Sequence, residues 1–385
     1  MTSVDLAAAA RAAVDTRRCV DLTAAMIQCD TRNPPGDESP ILPLLTDVLR
    51  GLGGRPEVFE PAPGRVSLLA RVGTGDRPGL LVNGHVDVVP VVAEDWTVPP
   101  FGGVRRDGRL YGRGACDMKG GIAAAIEGLR ACQDVGVPPA CDVLFHLVAD
   151  EETGGRWGTE ALLHAGLISG VAGAIVPEPS ELGVCVAERG ALLAEITVAG
   201  RAAHGSDPAR GHSAIADAAR LVSGLHLADF GDPAHRLLGT PTCNVGVISG
   251  GTAPNIVASA CALRVDRRTL PGQTREQAVL ALREVLDRTG VVYELEVLTF
   301  VEGSELPGAG GHPFAEFVRA CGGGPERGLY LATDARFLRN QLDIPTVVYG
   351  PGSMTVAHTA DEYVPIPDLT SAARTFATAF ATFTG

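Results

Sequence analysis

The sequence predicts an α/β fold in which a mixed, largely parallel sheet flanked by helices carries an inserted α+β domain. Over residues 1–185, apolar strand-like runs alternate with helical patterns, which is typical of a parallel sheet. Over residues 186–298 the pattern changes to alternating, half-exposed strands in a βαββαβ-like order. Helix and strand patterns alternate again over 299–385, so we expect a first domain in two parts with a second domain inserted into it. A chain of 385 residues has room for about two to three domains.

In the first part, glycine- and proline-rich turns mark the boundaries of the predicted elements. The first helix is expected to stop before the turn-rich segment TRNPPGDES at 31–39, and the second at Gly51–Gly54. The short apolar runs VSLLARV and GLLVNGH predict buried strands. The predicted elements are helices over 4–28 and 40–53, strands over 66–72 and 79–85, a helix over 118–133, a strand over 141–150, a helix over 157–165 and a strand over 171–176.

In the inserted part, ALLAEITVAG at 191–200 alternates apolar and polar residues, as a strand with one exposed face does. The predicted elements after it are a helix over 213–227, strands over 243–251 and 258–270, a helix over 274–289 and a strand over 291–298. Beyond the insertion, IPTVVYG at 344–350 predicts a strand that leads into a glycine-rich loop. A final helix is expected at the C-terminal end.

Composition and charge exclude several classes of function. The formal net charge is −13 and no block of Lys and Arg occurs, which argues against binding to nucleic acid or anionic lipid. No apolar run approaches the ~20 residues of a membrane-spanning helix. Nine cysteines form an odd set without a C-x-x-C pair, so we expect reduced thiols and a cytoplasmic location. Asp5, Arg11 and Asp15 interrupt the N-terminal region at helical spacing, which favours an amphipathic helix over a signal peptide.

Asp117 lies at the centre of the pattern that carries the chemistry. It stands in LYGRGACDMKGG, with Gly112 and Gly114 before it and Gly120 and Gly121 after it, so its carboxylate can be aimed at a bulky charged group. Other segments place His or acidic residues just beyond strand-like runs: GHVDVVP at 84–90, ADEETGG at 149–155, VPEPS at 176–180 and AHTADEY at 357–363. The economical hypothesis is that these segments converge on Asp117 to hold two metal ions.

The side chains in these segments suit that chemistry. His85 and Asp87 leave the same face of an extended strand, so Asp87 can accept the second ring N–H of a metal-bound His85. The adjacent carboxylates of Glu151 and Glu152 point in different directions, so one can bind metal while the other serves as general base. Glu178 is held between two prolines. Taken singly, the same residues would also suit hydrogen-bonded strand ends and solvated acidic turns.

Taken together, the residues match a dinuclear site. Imidazoles and carboxylates without a thiolate suit a pair of Zn²⁺, Co²⁺ or Mn²⁺ ions. One bridging carboxylate with a His and a Glu at each end would complete the coordination of both ions. His358 follows Gly350, Gly352 and Ser353, in a loop that can approach a ligand closely. Gly352 is the candidate in this loop for binding substrate.

A known family shares a set of motifs with this chain, in the same order and over nearly its whole length: GHVDVVP, LYGRGACDMKGG, ADEETGG, PEPS and GPGSMTVAHTADEY. They resemble the dinuclear zinc hydrolases that include acetylornithine deacetylase, succinyl-diaminopimelate desuccinylase, aminoacylase and glutamate carboxypeptidase. The resemblance implies a ligand set for each Zn²⁺ ion: His85, Asp117 and Glu178 for one, and Asp117, Glu152 and His358 for the other. It also implies that Glu151 is the general base and that Asp87 orients His85.

The resemblance extends to the inserted domain, which looks like the family's lid and dimerisation domain. GRAAHGSDPARG resembles the lid motif whose histidine, here His204, polarises the scissile carbonyl in the site of the other subunit. GGTAPNIVAS and VDRR resemble the substrate clamp, which implies Asn255 and Arg268. A homodimer is therefore expected, with 1–185 and 299–385 as its catalytic domain and 186–298 as its lid. Cys116 is expected to pack beside Asp117 and not to bind metal.

The expected substrate is a small molecule, an N-acyl L-amino acid or a short peptide. Family members that are aminopeptidases or dipeptidases tend to carry Asp at the position of Glu178, so the Glu here favours a deacylase similar to acetylornithine deacetylase. Two metal ions already neutralise the reacting groups, so a guanidinium at Arg268 is best explained by a carboxylate on the substrate. The alternatives are a carboxypeptidase or dipeptidase, a desuccinylase, a simple salt bridge of Arg268 with Asp266, and a metal-free binding protein on this fold.

Overall fold

The computed structural model describes residues 3–308 and 310–385, which form two compact units. The first contains the residues up to Val186 together with Leu306–Arg327 and Thr333–Gly385, and the second contains Ala187–Glu305 and Gly328–Ala332. The helices are α1 Ser3–Ala12, α2 Thr16–Ile27, α3 Leu42–Gly51, α4 Gly120–Asp134, α5 Thr159–His164, α6 Ala214–Leu225, α7 Arg275–Asp287, α8 Pro313–Ala320, α9 Ala335–Leu342 and α10 Ile366–Thr382. The strands are β1 Glu57–Ala62, β2 Arg65–Val72, β3 Gly79–His85, β4 Val104–Arg106, β5 Arg109–Tyr111, β6 Asp142–Val148, β7 Val171–Val176, β8 Val184–Glu188, β9 Gly190–Ala199, β10 Thr242–Gly250, β11 Ala260–Thr269, β12 Glu294–Val301, β13 Ser304–Glu305, β14 Glu326–Leu329, β15 Thr346–Val348 and β16 Tyr363–Pro365.

The first unit is built on a mixed sheet that contains the strand order β1-β2-β6-β3-β7-β15-β8. The pairs β6–β3, β3–β7 and β7–β15 are parallel, whereas β1–β2, β2–β6 and β15–β8 are antiparallel. Every residue of β3 and β6 is buried, as expected for central strands with both faces covered. This is the α/β fold with a largely parallel sheet that the sequence predicts.

The helices α1, α2, α4 and α10 pack on one another in the first unit. At the crossing of α4 and α10, a Cβ atom added to Gly128 would lie 2.7 Å from the Cβ of Phe376. A side chain there would push the two helices apart, so glycine permits their close approach. Helix α4 begins directly after Asp117 and its neighbours, and this packing therefore fixes the element that follows the central carboxylate.

The single helix predicted over 4–28 is wrong, because the structure has two helices there. Asp15 forms the N-cap of α2, where its carboxylate accepts the main-chain N–H groups of Arg17 at 2.8 Å and Arg18 at 3.2 Å. A capping carboxylate satisfies N–H groups that have no partner within the helix, so it favours a new helix start. The strands β1, β4 and β8 were not predicted from the sequence.

The second unit is an antiparallel sheet with the order β10-β11-β9-β12 and the helices α6 and α7. Alternate residues of β11, such as Leu263 and Val265, are buried in its core, while Asp266 and Arg268 point to the opposite face and are half-buried. Strand β10 lies at one edge of this sheet. The role of the second unit as a lid and dimerisation domain stays a prediction.

The structure shows the state of the cysteines and the length and apolarity of the helices. All nine cysteines are free, and only Cys29 among them is not fully buried. Burial raises the pKa of Cys132 and of Cys141 to about 12, so these groups are uncharged thiols at neutral pH. In the described part of the chain, none of the helices combines the length and the apolarity that crossing a bilayer demands.

Candidate metal centre

The ends of parallel strands bring the candidate ligands to one edge of the first unit's sheet. His85 is the last residue of β3, Glu151 opens a short 3₁₀ turn after β6, and Glu178 lies two residues beyond β7. Because β3, β6 and β7 are parallel, their carboxyl ends share this edge, where ligands bind in open α/β sheets. His358 comes from the loop that follows β15.

Asp117 is presented by an irregular segment between β5 and α4. Glu362 holds this segment, since one of its carboxylate oxygens accepts the main-chain N–H groups of Cys116 at 2.8 Å and Asp117 at 3.1 Å. The other oxygen of Glu362 pairs with Arg113 at 2.5 Å, and both side chains are buried. The main chain around Asp117 is therefore fixed by a partner that lies in the AHTADEY motif, beside His358.

The carboxylate of Asp117 lies between two histidines. Its Oδ1 is 3.0 Å from His85 Nε2, and its Oδ2 is 3.2 Å from His358 Nε2. Each histidine also contacts a glutamate: His85 Nε2 lies 3.4 Å from Glu178 Oε1, and His358 Nε2 lies 3.0 Å from Glu152 Oε2. The structure thus brings together two His–Glu pairs that share one aspartate, the arrangement expected for two bridged ions.

The donor set fits a pair of dications. The second oxygens of Glu152 and Glu178 are buried without a hydrogen-bond partner among the described residues. Burial and the negative charge of Asp117 raise the pKa of Glu178 to about 8, and the same two causes raise the pKa of Glu152. Gathering these carboxylates is unfavourable without a cation, whereas oxygen and imidazole ligands are those that Zn²⁺ and related ions prefer.

The histidines balance part of this negative charge. Hydrogen bonds to Asp117 and Glu152 raise the pKa of His358 to about 10. Burial opposes ionisation of Asp117, but its contacts with His358 and His85 hold the pKa of its carboxyl group below the ordinary range. Asp117 is therefore an ionised carboxylate with both oxygens engaged, as a bridging ligand must be.

Asp87 fixes the surroundings of the site in two ways. His85 Nδ1 lies 2.9 Å from the main-chain oxygen of Asp87 and 3.5 Å from its Oδ1, so the main-chain oxygen is the closer acceptor for the ring N–H. The Asp87 carboxylate instead accepts the main-chain N–H of Glu151 at 3.2 Å and that of Glu152 at 3.3 Å. One buried carboxylate therefore holds the turn that carries both glutamates.

Glu151 lies close to the first His–Glu pair. Its carboxylate, His85 and Glu178 offer potential ligand atoms within 4.8 Å of one another, and the same is true of His85, Asp117 and Glu152. Burial raises the pKa of Glu151 well above its ordinary value; His85 opposes this effect, and Glu178 and Asp334 add to it. Proximity alone does not separate the roles of Glu151 and Glu152, but only Glu152 makes a contact with His358.

Gly352 lies in the same unit, packed against Cys116, the residue before Asp117. A Cβ atom at this position would be 2.5 Å from Cys116 Sγ, and the residue has a φ angle of 81°. Its N–H donates to Asp368 Oδ2 at 3.3 Å, and its carbonyl oxygen accepts the N–H of Glu181 at 2.7 Å. The main-chain groups of Gly352 thus already have partners, and its part in binding substrate stays a prediction.

The other candidates for substrate binding lie in the second unit. The segments of His204 and Asn255 run side by side: the N–H of Gly205 donates to the Asn255 oxygen at 2.7 Å, and the side chains of His204 and Asn255 are exposed. His204 Nδ1 lies 2.7 Å from Ser206 Oγ. The structure therefore places these two predicted residues next to each other within the unit.

Arg268 is engaged with a neighbour on its own strand, as its Nη2 lies 2.9 Å from Asp266 Oδ2. Sequence reasoning missed a second guanidinium in this unit, that of Arg189. Arg189 is buried and donates to the main-chain oxygens of Leu238 and, at 2.9 Å, Thr240, which are neutral acceptors. Burial and the nearby Arg268 both lower the pKa of Arg189. Two arginines close together are suited to an anionic group.

Comparison with known proteins gives one family and a common fold. The model of peptidase family M20/M25/M40 matches residues 81–382. An acetylornithine deacetylase of Myxococcus xanthus is 37% identical over 341 residues, which cover 83% of this chain and 85% of that protein. Among solved structures, a tripeptidase of Staphylococcus aureus has a TM-score of 0.79 at 24% identity and covers 96% of this chain and 98% of its own. A dinuclear metal binding peptidase of Bacillus subtilis has a TM-score of 0.68 at 16% identity, with 95% and 97% covered.

Proposed function

Because the chain belongs to peptidase family M20/M25/M40 and is therefore a hydrolase that acts on amide bonds, we propose that it is a metal-dependent deacylase of N-acyl L-amino acids. The observation that carries the proposal is the sharing of Asp117 between two His–Glu pairs, with Glu151 beside them. The likeness to a deacetylase at 37% identity favours an acyl amino acid over a peptide.

Two divalent ions would occupy the site, and Zn²⁺ is our choice among Zn²⁺, Co²⁺ and Mn²⁺. One would be held by His85, Asp117 and Glu178, and the other by Asp117, Glu152 and His358. When bound, such ions polarise the substrate carbonyl and make water acidic enough to attack it near neutral pH. The protein must then supply a general base, keep the metal ligands in fixed positions, and bind the rest of the substrate.

Glu151 is the base in this proposal. A buried carboxylate with a raised pKa takes up a proton readily, so Glu151 is suited to accept the proton of the attacking water. It would then deliver that proton to the nitrogen of the leaving amine as the amide C–N bond breaks. The N–H contacts of Glu151 and Glu152 with Asp87 keep the turn in place during this transfer.

In this proposal, Arg268 binds the substrate carboxylate, and Asn255 is its neutral partner in that contact. Support comes from the second guanidinium at Arg189, since it lies near Arg268 and donates to the neutral main-chain oxygens of Leu238 and Thr240. The contact of Arg268 with Asp266 is half open to water, so a substrate carboxylate can compete for the guanidinium.

We further propose a homodimer in which His204 acts on the site of the other subunit. The exposed edge strand β10 carries the apolar side chains of Val247 and Ile248, which are 51% and 55% exposed, and such an edge favours pairing with a second chain. The exposed imidazole of His204 can donate a hydrogen bond to a carbonyl oxygen as negative charge develops there.

A substrate panel with metal analysis tests the proposal. The kcat/KM values of N-acetyl, N-succinyl and N-formyl L-amino acids are compared with those of dipeptides. We expect higher values for simple N-acyl amino acids, about two dications per chain, and loss of activity on chelation that Zn²⁺ or Co²⁺ restores. Higher kcat/KM for dipeptides would favour the peptidase alternative. Full activity of the metal-free chain would refute the mechanism.

A further inference from the structure

The segment 31–33 lies alongside the chain that leaves β3 after His85. Thr31 Oγ1 donates to the Val86 oxygen at 2.6 Å, the N–H of Val88 donates to the Thr31 oxygen at 3.1 Å, and the N–H of Asn33 donates to the Val88 oxygen at 2.8 Å. These contacts extend the strand pairing past His85. They place the Asn33 side chain next to the residues that surround the metal centre.

The amide of Asn33 is buried and donates to several acceptors. Its Nδ2 lies 2.9 Å from Asp87 Oδ2, 3.0 Å from Thr153 Oγ1 and 3.3 Å from Asp150 Oδ1, and the residue is only 3% exposed. Two buried carboxylates thus meet at one neutral donor. Arg65 Nη1 lies 3.0 Å from Asp150 Oδ1, so the guanidinium of Arg65 neutralises the negative charge of Asp150.

The same carboxylate that accepts from Asn33 also holds the turn of the two glutamates. Asp87 Oδ2 accepts from both the Asn33 amide and the N–H of Glu152, while Oδ1 accepts from the N–H of Glu151. Without the amide, Asp87 would keep the two main-chain donors and the longer 3.5 Å contact of its Oδ1 with His85 Nδ1, and its carboxylate could rotate about its χ angles. Rotation would release the turn and move the acceptor atoms near His85.

We propose that Asn33 is a positioning residue, whose amide fixes the Asp87 carboxylate and thereby the places of His85, Glu151 and Glu152. This inference rests on the proposed function for its kinetic consequences, but its effect on metal binding does not depend on the substrate. Groups that orient the ligands of a metal ion usually matter about 10–100-fold for affinity or activity. A residue with a merely structural role would change stability and leave the metal centre unaltered.

Asn33→Leu is the main variant, because leucine has a similar volume and no donor; Asn33→Ala is the second, in case the first folds poorly. Thr31→Val is the matched control: it removes a buried hydrogen bond from the same segment without touching Asp87. The readouts are Co²⁺ affinity by competition with a coloured chelator, the visible spectrum of the Co²⁺-loaded protein, kcat and KM at saturating metal, and Tm.

We expect both Asn33 variants to bind Co²⁺ about tenfold more weakly, to show an altered Co²⁺ spectrum, and to lose about 10–100-fold in kcat with KM changed less than about twofold. Thr31→Val should lower Tm but keep the affinity, spectrum and kcat of the parent. Asn33 variants that match Thr31→Val in all three would overturn the inference. If the parent hydrolyses no N-acyl amino acid, the proposed function fails, and the Co²⁺ affinities and spectra still decide the role of Asn33.

Discussion

Replacing Arg268 with alanine tests whether this chain holds the carboxylate of its substrate. Arg268 Nη2 lies 2.9 Å from Asp266 Oδ2, and the two side chains are 33% and 34% exposed. Because this ion pair is partly open to water, its loss should cost about 0.2–1 kcal/mol in the free energy of unfolding. Loss of a desolvated contact with a substrate carboxylate should cost about 2–5 kcal/mol in kcat/KM.

These magnitudes separate the two interpretations of Arg268. At about 1.4 kcal/mol for each factor of ten, the clamp predicts a fall in kcat/KM of about 30-fold to about 4,000-fold. A simple salt bridge predicts a small loss of stability and an unchanged kcat/KM. Arg264→Ala is a matched control, since Arg264 lies four residues away on the same face of β11 and pairs with Glu195 at 2.8 Å. It should change kcat/KM little.

The assay compares an N-acyl amino acid with the analogue whose α-carboxylate is amidated, on the parent and on Arg268→Ala. Each change alone should cause the full loss. Together they should cost little more than either one, because both remove the same interaction. Fully additive losses would refute the clamp and place the carboxylate pocket elsewhere, with the main chain of the 350–353 loop as the next candidate.

Three further predictions concern the base, the subunits and the pH dependence of stability. Glu151→Ala should lower kcat by about 10²–10⁴ with metal content intact, whereas Glu152→Ala should lose metal; equal metal loss in both would show that the roles are wrongly assigned. Mixing inactive His204→Ala and Glu151→Ala chains should restore activity if the site is shared between subunits, and no recovery despite proven subunit exchange would count against sharing. Burial, with the nearby Arg71, lowers the pKa of His146 from 6.5 to about 4. Between pH 6.5 and pH 4, His146 is therefore protonated in the unfolded chain but neutral in the folded chain. Stability should therefore fall by about 3 kcal/mol as pH drops from about 6.5 to about 4, and His146→Phe should reduce that fall in chemical denaturation.

The central part of the fold was predictable because its strands are apolar and bounded by turn residues. The predicted strand over 79–85 coincides with β3, and β6 lies inside the predicted 141–150. The order of the strands was not predictable, since β3 pairs with β6 and β7 through residues far apart in the chain. β1 has no buried residue and contains a proline, and β4 has only three residues, so their patterns were too weak.

The candidate ligands could be proposed from sequence because each stands in a short motif at the end of a strand. The groups that hold them could not. Asn33 contacts Asp87 across 54 positions of sequence, and Glu362 contacts the N–H of Asp117 across 245. Asn33 looks like an ordinary turn residue in NPPG, and Glu362 like a surface acid next to Asp361. Only the fold reveals that both amide and carboxylate are buried against the site.

The assignment of base and ligand within the pair Glu151 and Glu152 depends on one such group. If a turn shifts by one residue, two adjacent side chains exchange their directions. The sequence can therefore predict that the carboxylates of Glu151 and Glu152 point in different directions, but it does not determine which of them points toward the proposed metal ions. Asp87 accepts both main-chain N–H groups with its two oxygens, which removes this freedom. With the main chain of the turn fixed in this way, the side chain of Glu152 contacts His358, and that of Glu151 lies beside His85 and Glu178. In the proposed mechanism, the division of labour between the glutamates is therefore set by a hydrogen-bonded main chain and not by their own side chains.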